Sequence, residues 1–225
     1  MKTELLKYML KRFDKTTSSN TNKEKHIITI SREYGCNANL IAKLLQKGLS
    51  NKGKKWRIIN KEILHEAAEE LNISPHYLDS ISSSKNKGFF VDIAKGFSER
   101  FYTNNKTIRN TISRVIQRFA NEGNIIFVGR AAAAVTSGTH NTIHIKLIAP
   151  IENRASLLLE KENSSLDHIT DIIKEMDKKR EQLIMYYSKE RSPQELFDIC
   201  FNKRNLSDKD IVELIISTMK AKKMI

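Results

Sequence analysis

From His26 onward the chain alternates short runs of β-branched and apolar residues with longer segments whose apolar positions recur every three or four residues. This alternation is the pattern of parallel strands joined by crossover helices and covered on both faces. The strand runs are Ile27 to Ile30, Arg57 to Ile59, Ile125 to Val128, Thr142 to Ile148 and Phe197 to Phe201. Helical spacing appears in Leu40, Ile41, Leu44 and Leu45, in Ile63, Leu64, Ala67, Ala68 and Leu71, and in Ile108, Ile112, Val115, Ile116 and Phe119. Ser164 or Ser165 opens a long helix through Ile169, Ile173, Met176 and Ile184, and Ser207, followed by Asp208 and Asp210, opens the last one. Asn72-Ile73-Ser74-Pro75 reads as one helix stopping and the next starting. Ser82 to Gly88, polar and serine-rich, reads as an exposed excursion between the second and third strands. No fixed period recurs, which excludes a solenoid.

With 225 residues there is room for one sizeable α/β domain, residues 26–225, preceded by a short appendage at residues 1–25. In that appendage Leu5, Leu6, Met9, Leu10 and Phe13 form the stripe of an amphipathic helix, and Thr16 to Lys25 form a polar linker. The stripe has three candidate partners: the domain itself, a second copy of the chain in a homodimer, or an anionic membrane surface. Charges interrupt it too often for a secretory leader, and no apolar run approaches the ~20 residues of a membrane span. A cytoplasmic protein without membrane insertion is expected. Cys36 and Cys200 belong to no CxxC pair or zinc spacing, so both read as reduced thiols. The excess of 39 basic over 26 acidic residues, a formal charge of +13, favours polyanionic partners. These charges are dispersed and lack interleaved aromatics, which argues against dedicated nucleic-acid binding, while charge alone does not choose between nucleotides and an anionic membrane surface.

The most informative segment is Ile28-Thr29-Ile30-Ser31-Arg32-Glu33-Tyr34-Gly35, a buried-looking strand entering a polar turn ahead of a helix that begins near Asn39. Strand, turn and helix N-terminus together make an anion site, with phosphate the usual occupant. The sequence ITISREYG resembles the opening of the cytidylate-kinase-like family of the P-loop nucleotide-kinase superfamily. The resemblance implies a three-layer α/β/α fold with a five-stranded parallel sheet and helical acceptor and lid regions. It also makes Ser31, Arg32, Gly35, Cys36, Asn37, Ala38 and Asn39 the ATP-binding turn. Where the family continues as GSGGRE, this chain has Gly35-Cys36-Asn37-Ala38-Asn39, with Asn39 at the arginine position. The turn therefore carries no cation. Arg32 and Lys43 are the candidates to replace it, although Arg32 reads equally as an ion-pair partner of Glu33 or another acid. The Cys36 thiol, at a helix N-terminus, is open to acidification but has no basic partner in the sequence.

Four further segments resemble the same family. Ile59-Asn60-Lys61-Glu62-Ile63-Leu64 resembles YDKEIL, with Asn60 replacing an aspartate, and Ile126-Phe127-Val128-Gly129-Arg130 resembles VIVGR. Arg154 and Asp177-Lys178-Lys179-Arg180, followed by Tyr186-Tyr187, resemble an arginine-bearing lid spanning about residues 151–192. Phe197-Asp198-Ile199-Cys200-Phe201-Asn202 resembles the last strand, YDLxIN. The resemblance implies transfer of the ATP γ-phosphoryl group, with Mg2+, to a nucleoside monophosphate such as CMP or dCMP. It places Arg130, Arg154, Asp177 and Arg180 in catalysis and Asn60, Arg130 and Asp198 at the acceptor. Read without the resemblance, Arg130 is a surface or ion-paired arginine, Asp177 forms i,i+3 pairs on a solvated helix, and Asp198 is a structural edge residue. The departures at Asn37, Ala38, Asn39 and Asn60 support a second function: a catalytically inactive nucleotide-binding or regulatory protein of the same fold.

Overall fold

Ile27–Arg32 forms β1, and every residue from Ile27 to Ser31 is buried, as a strand flanked on both edges and covered on both faces requires. The computed structural model describes residues 25–50, 55–60, 62–70, 102–160, 164–188 and 192–225. The N-terminal amphipathic helix, the Asn72–Pro75 boundary and the Ser82–Gly88 excursion lie outside the described residues. The remaining strands are β2 (Arg57–Ile59), β3 (Ile125–Val128), β4 (Thr142–Ile148) and β5 (Ile199–Asn202). They form one parallel sheet in the order β2-β3-β1-β4-β5, with β1 at its centre.

The helices are α1 (Ala38–Ser50), α2 (Glu62–Glu70), α3 (Tyr102–Glu122), α4 (Ala132–Val135), α5 (Ile151–Leu159), α6 (Leu166–Ser188), α7 (Pro193–Leu196) and α8 (Asp208–Ala221). One face of the sheet is covered by α1 and α8, whose Ile41, Leu45, Ile211, Ile215 and Met219 pack on Ile28, Ile30, Ile126, Ile143 and Ile145. The other is covered by α2 and α3, whose Ile63, Ala67, Val115, Ile116 and Phe119 meet Ile27, Ile59, Ile125 and Phe127. This is the three-layer α/β/α arrangement. Each fully buried large apolar side chain contributes roughly 1.5–3 kcal/mol, so these two clusters dominate the stability. The polar starts of the helices behave as their sequence suggests. Ser165 accepts from the His168 N–H at 3.3 Å, and Ser207 and Asp210 form a reciprocal capping box at α8.

The last strand begins at Ile199 rather than Phe197. Ser192 caps the short α7, and the chain re-enters the sheet only after Asp198, whose carboxylate accepts from the His144 N–H at 2.7 Å. The Asp198 N–H in turn donates to the His144 carbonyl at 2.8 Å. Among the described residues no helix is long and apolar enough to cross a membrane.

Candidate functional site

Four N–H groups of the turn from β1 to α1 meet protein acceptors. The Glu33 N–H donates to the Leu147 carbonyl at 3.0 Å, Cys36 to Glu33 at 3.2 Å and Ala38 to Cys36 at 2.8 Å. Asn37 caps α1 by accepting from the Leu40 N–H at 3.3 Å. The Tyr34 N–H donates to Asp177 Oδ1 at 2.6 Å, so a carboxylate from α6 already sits against the turn. A loop that wraps phosphate keeps its N–H groups free to converge on it. Here several point to protein acceptors.

Arg154 organises this turn from inside. Its side chain is only 8% exposed; Nε donates to the Ala149 carbonyl at 2.8 Å, and Nη1 to the Tyr34 carbonyl at 3.0 Å and to Asp177 Oδ2 at 2.6 Å. Nη2 lies 3.5 Å from Glu33 Oε2, and the same oxygen accepts from the Ala149 N–H at 3.0 Å. Gly35 folds over this arginine at φ +91°, and a Cβ there would come within 3.0 Å of the Arg154 Cβ. Only glycine combines that conformation with that approach. Glu33 is therefore the partner of Arg154, not of Arg32. Asp177 pairs across the fold rather than along its own helix, while Lys179 takes Glu175 at 2.6 Å. Burial, reinforced by Glu33, pushes the Cys36 thiol up to about 11, so the thiol is not acidified.

At the carboxyl ends of β1 and β3 the structure brings together Arg32, Arg130 and Arg180. Gly129, Arg130 and Ala131 follow β3 with φ of +76°, +58° and +53°. Each non-glycine residue so placed costs roughly 1–2 kcal/mol, and strain of this kind concentrates where a side chain must be aimed. Arg180, on the face of α6 that carries Asp177 one turn earlier, donates from Nη1 to the Arg32 carbonyl at 3.1 Å, and its guanidinium lies 5.3 Å from the Tyr34 ring centre. Burial lowers the Arg32 guanidinium to about 10, helped by the charges of Arg180 and then Arg130. Burial and then Arg180 lower Arg130 as well, and burial lowers Arg180 against the opposing pull of Asp177. No carboxylate pairs with Arg32 or Arg130 among the described residues. Three guanidinium groups thus share a partly desolvated corner at the strand ends where open α/β sheets bind ligands.

Ser31 is buried at the end of β1, opposite Lys146 of β4. Asn60 follows β2, and its Nδ2 donates to Asn39 Oδ1 at 3.2 Å, joining the acceptor-side loop to the start of α1. Asp198 does not join the cluster. It stands before the first residue of β5, hydrogen-bonded to His144 near the amino end of β4, whereas the cleft lies at the carboxyl ends. Its carboxylate is engaged by the backbone of β4.

Three contributors were absent from the candidate residues read in the sequence. Gly129 was legible only as part of VGR. Glu33 reads in the sequence only as a neighbour of Arg32. Arg109 of α3 stacks 3.9 Å from the Tyr186 ring centre while its carbonyl accepts from the Tyr187 hydroxyl at 2.9 Å, tying the end of α6 to α3. Burial raises the Tyr187 hydroxyl to about 12. Magnesium, which the resemblance implies, finds no built seat. Glu33 and Asp177 are both engaged at the turn, and no group of three or more metal-ligating side chains occurs among the described residues.

Residues 27–205 match the model of the cytidylate kinase-like family. The chain belongs to that family. Solved structures agree on the fold. An uncharacterized protein from Eubacterium ventriosum is 20% identical, with a TM-score of 0.64 over 88% of this chain and 99% of that one. Shikimate kinase from Bacteroides thetaiotaomicron is 12% identical, with a TM-score of 0.51 over 87% of this chain and 98% of that one. No curated protein matches significantly. Membership of this family and the five-stranded parallel sheet make this a protein of the P-loop nucleotide-kinase fold.

Proposed function

We propose that this protein is a nucleoside monophosphate kinase of the cytidylate type, acting on CMP or dCMP in the cytoplasm, with turnover reduced by its altered phosphate loop. The observation that carries the reading is the clustering of Arg32, Arg130 and Arg180 at the carboxyl ends of β1 and β3, with no carboxylate among the described residues paired to Arg32 or Arg130. In the reaction a non-bridging oxygen of the acceptor monophosphate attacks the γ-phosphorus of ATP. The bond to the β–γ bridging oxygen breaks, and ADP and a nucleoside diphosphate leave. Charge builds on the equatorial oxygens of the transferring group, and positioned guanidinium groups stabilise it. Arg130 holds the acceptor phosphate, and Arg180 approaches from the lid helix. Arg154 and Asp177 act through the turn they hold, setting the position of Tyr34 and Gly35. Asn60 and Asn39 border the acceptor side with neutral amides. Magnesium would enter bound to the phosphates of ATP, keeping several of its waters, and would neutralise charge on the transferring group.

A second reading, a nucleotide-binding protein of the same fold without turnover, is favoured by one observation: the Tyr34 N–H is already satisfied by Asp177. Calorimetry with CMP, dCMP and ATP separately, followed by a coupled assay with magnesium, separates the two. The kinase reading expects saturable binding of both substrates and measurable diphosphate production. Acceptor binding without product establishes the second reading, and absence of all binding removes both.

A further inference from the structure

The turn from Gly35 to Asn39 contains no cation, and the surrounding cations are mostly committed or remote. Arg154 is taken up by Glu33, Asp177 and two carbonyls. Lys203 pairs with Asp208 at 2.7 Å, and Lys43 is exposed on α1. Arg32 differs from all of these. Its guanidinium lies on the bare Cα of Gly129, where an added Cβ would fall 1.8 Å from Nη1 and 3.0 Å from Cζ. The Gly129 N–H donates to the Ile30 carbonyl at 3.0 Å, which fixes that glycine against β1 just before Arg32. Any side chain at 129 would occupy the space through which Arg32 crosses from β1 over the end of β3. On arrival it meets Arg130 and Arg180, so the crossing collects like charges instead of neutralising them. Gathering half-buried guanidinium groups in this way is unfavourable unless an anion offsets it, and planar guanidinium forks match phosphate oxygens.

We propose that Arg32, threaded over the bare Cα of Gly129, joins Arg130 as a second cation for the phosphate of a nucleoside monophosphate, beside a turn that carries none of its own, and that Gly129 is the positioning residue that admits it. The anion is a phosphate dianion of the nucleotide. That identity rests on the kinase reading; the requirement for an anion at this corner does not.

The test is calorimetry of the full chain with CMP and with cytidine, comparing Arg32→Gln, Arg32→Lys, Gly129→Ala and the double variant Arg32→Gln/Gly129→Ala. Losing one charge-assisted contact predicts that Arg32→Gln binds CMP about 10- to 100-fold more weakly while cytidine binding is unchanged. Arg32→Lys recovers part of the loss, and the double variant loses less than the sum of its two single changes, because the contact they share is lost only once. Gly129→Ala also carries a backbone cost at positive φ, so the two Arg32 variants, which leave that backbone alone, decide the matter. Unchanged CMP affinity in Arg32→Gln, or an equal loss of CMP and cytidine binding, overturns the proposal. The two readings fail separately. A wild-type chain without turnover whose CMP binding collapses in Arg32→Gln keeps the anion site and removes the kinase. An active wild type with an indifferent Arg32→Gln keeps the kinase and removes this role for Arg32.

Discussion

Asn39 and Asn60 stand where the family pattern has an arginine and an aspartate, and the fold places these two amides in hydrogen-bond contact. Two neutral amides thus meet at positions where the family pattern has one positive and one negative side chain. Restoring the charges as Asn39→Arg/Asn60→Asp is expected to give a favourable coupling of roughly 0.5–1 kcal/mol, the range for exposed ion pairs. A double-mutant cycle in urea measures it, and strict additivity contradicts the pairing. His144 makes a second prediction. It is buried in β4, its Nδ1 shares a 2.8 Å hydrogen bond with Thr29 Oγ1, and burial, opposed by Asp198, lowers it to about 4. A histidine whose folded pKa lies below its unfolded value of about 6.5 takes up protons preferentially in the unfolded chain. Its contribution is fully present above pH 6.5 and is lost as pH falls towards 4, on the order of 3 kcal/mol across that window. Stability curves at pH 7 and pH 5 are expected to differ by less in His144→Gln than in the wild type.

Among the elements, the strands were legible because parallel strands buried on both faces are written as continuous apolar runs, and four of the five expected runs lie within or coincide with the observed strands. The fifth was displaced because Asp198 engages His144, a contact between residues far apart in sequence that no local pattern announces. The same limit hid the coupling of α6 to the phosphate turn. DKxR marks Asp177 and Arg180 as special, yet only the fold shows Asp177 meeting Arg154 and the Tyr34 N–H while Arg180 reaches Arg32. Removing one member of a buried pair leaves an uncompensated charge, so Arg154→Met is expected to cost about 3 kcal/mol. Arg154→Met/Asp177→Asn is expected to cost less than the sum of its single changes by roughly 1–3 kcal/mol. Chemical denaturation of the four proteins measures this, and additivity within about 0.5 kcal/mol denies that α6 is held to the turn through this pair.

At the scale of the whole molecule, the sheet gathers at one end what the sequence scatters: Arg32 ends β1, Arg130 follows β3, and Arg180 arrives on α6. Their convergence supports phosphoryl chemistry, and a turn whose Glu33, Tyr34, Cys36 and Ala38 N–H groups already meet protein acceptors is expected to slow it. The most direct test is 31P NMR of ATP and CMP incubated with magnesium and either the wild-type chain or Arg130→Met. The account predicts slow formation of CDP and ADP by the wild type and a rate about 100- to 1000-fold lower in the variant. No CDP from the wild type, or equal rates from the two proteins, would contradict it.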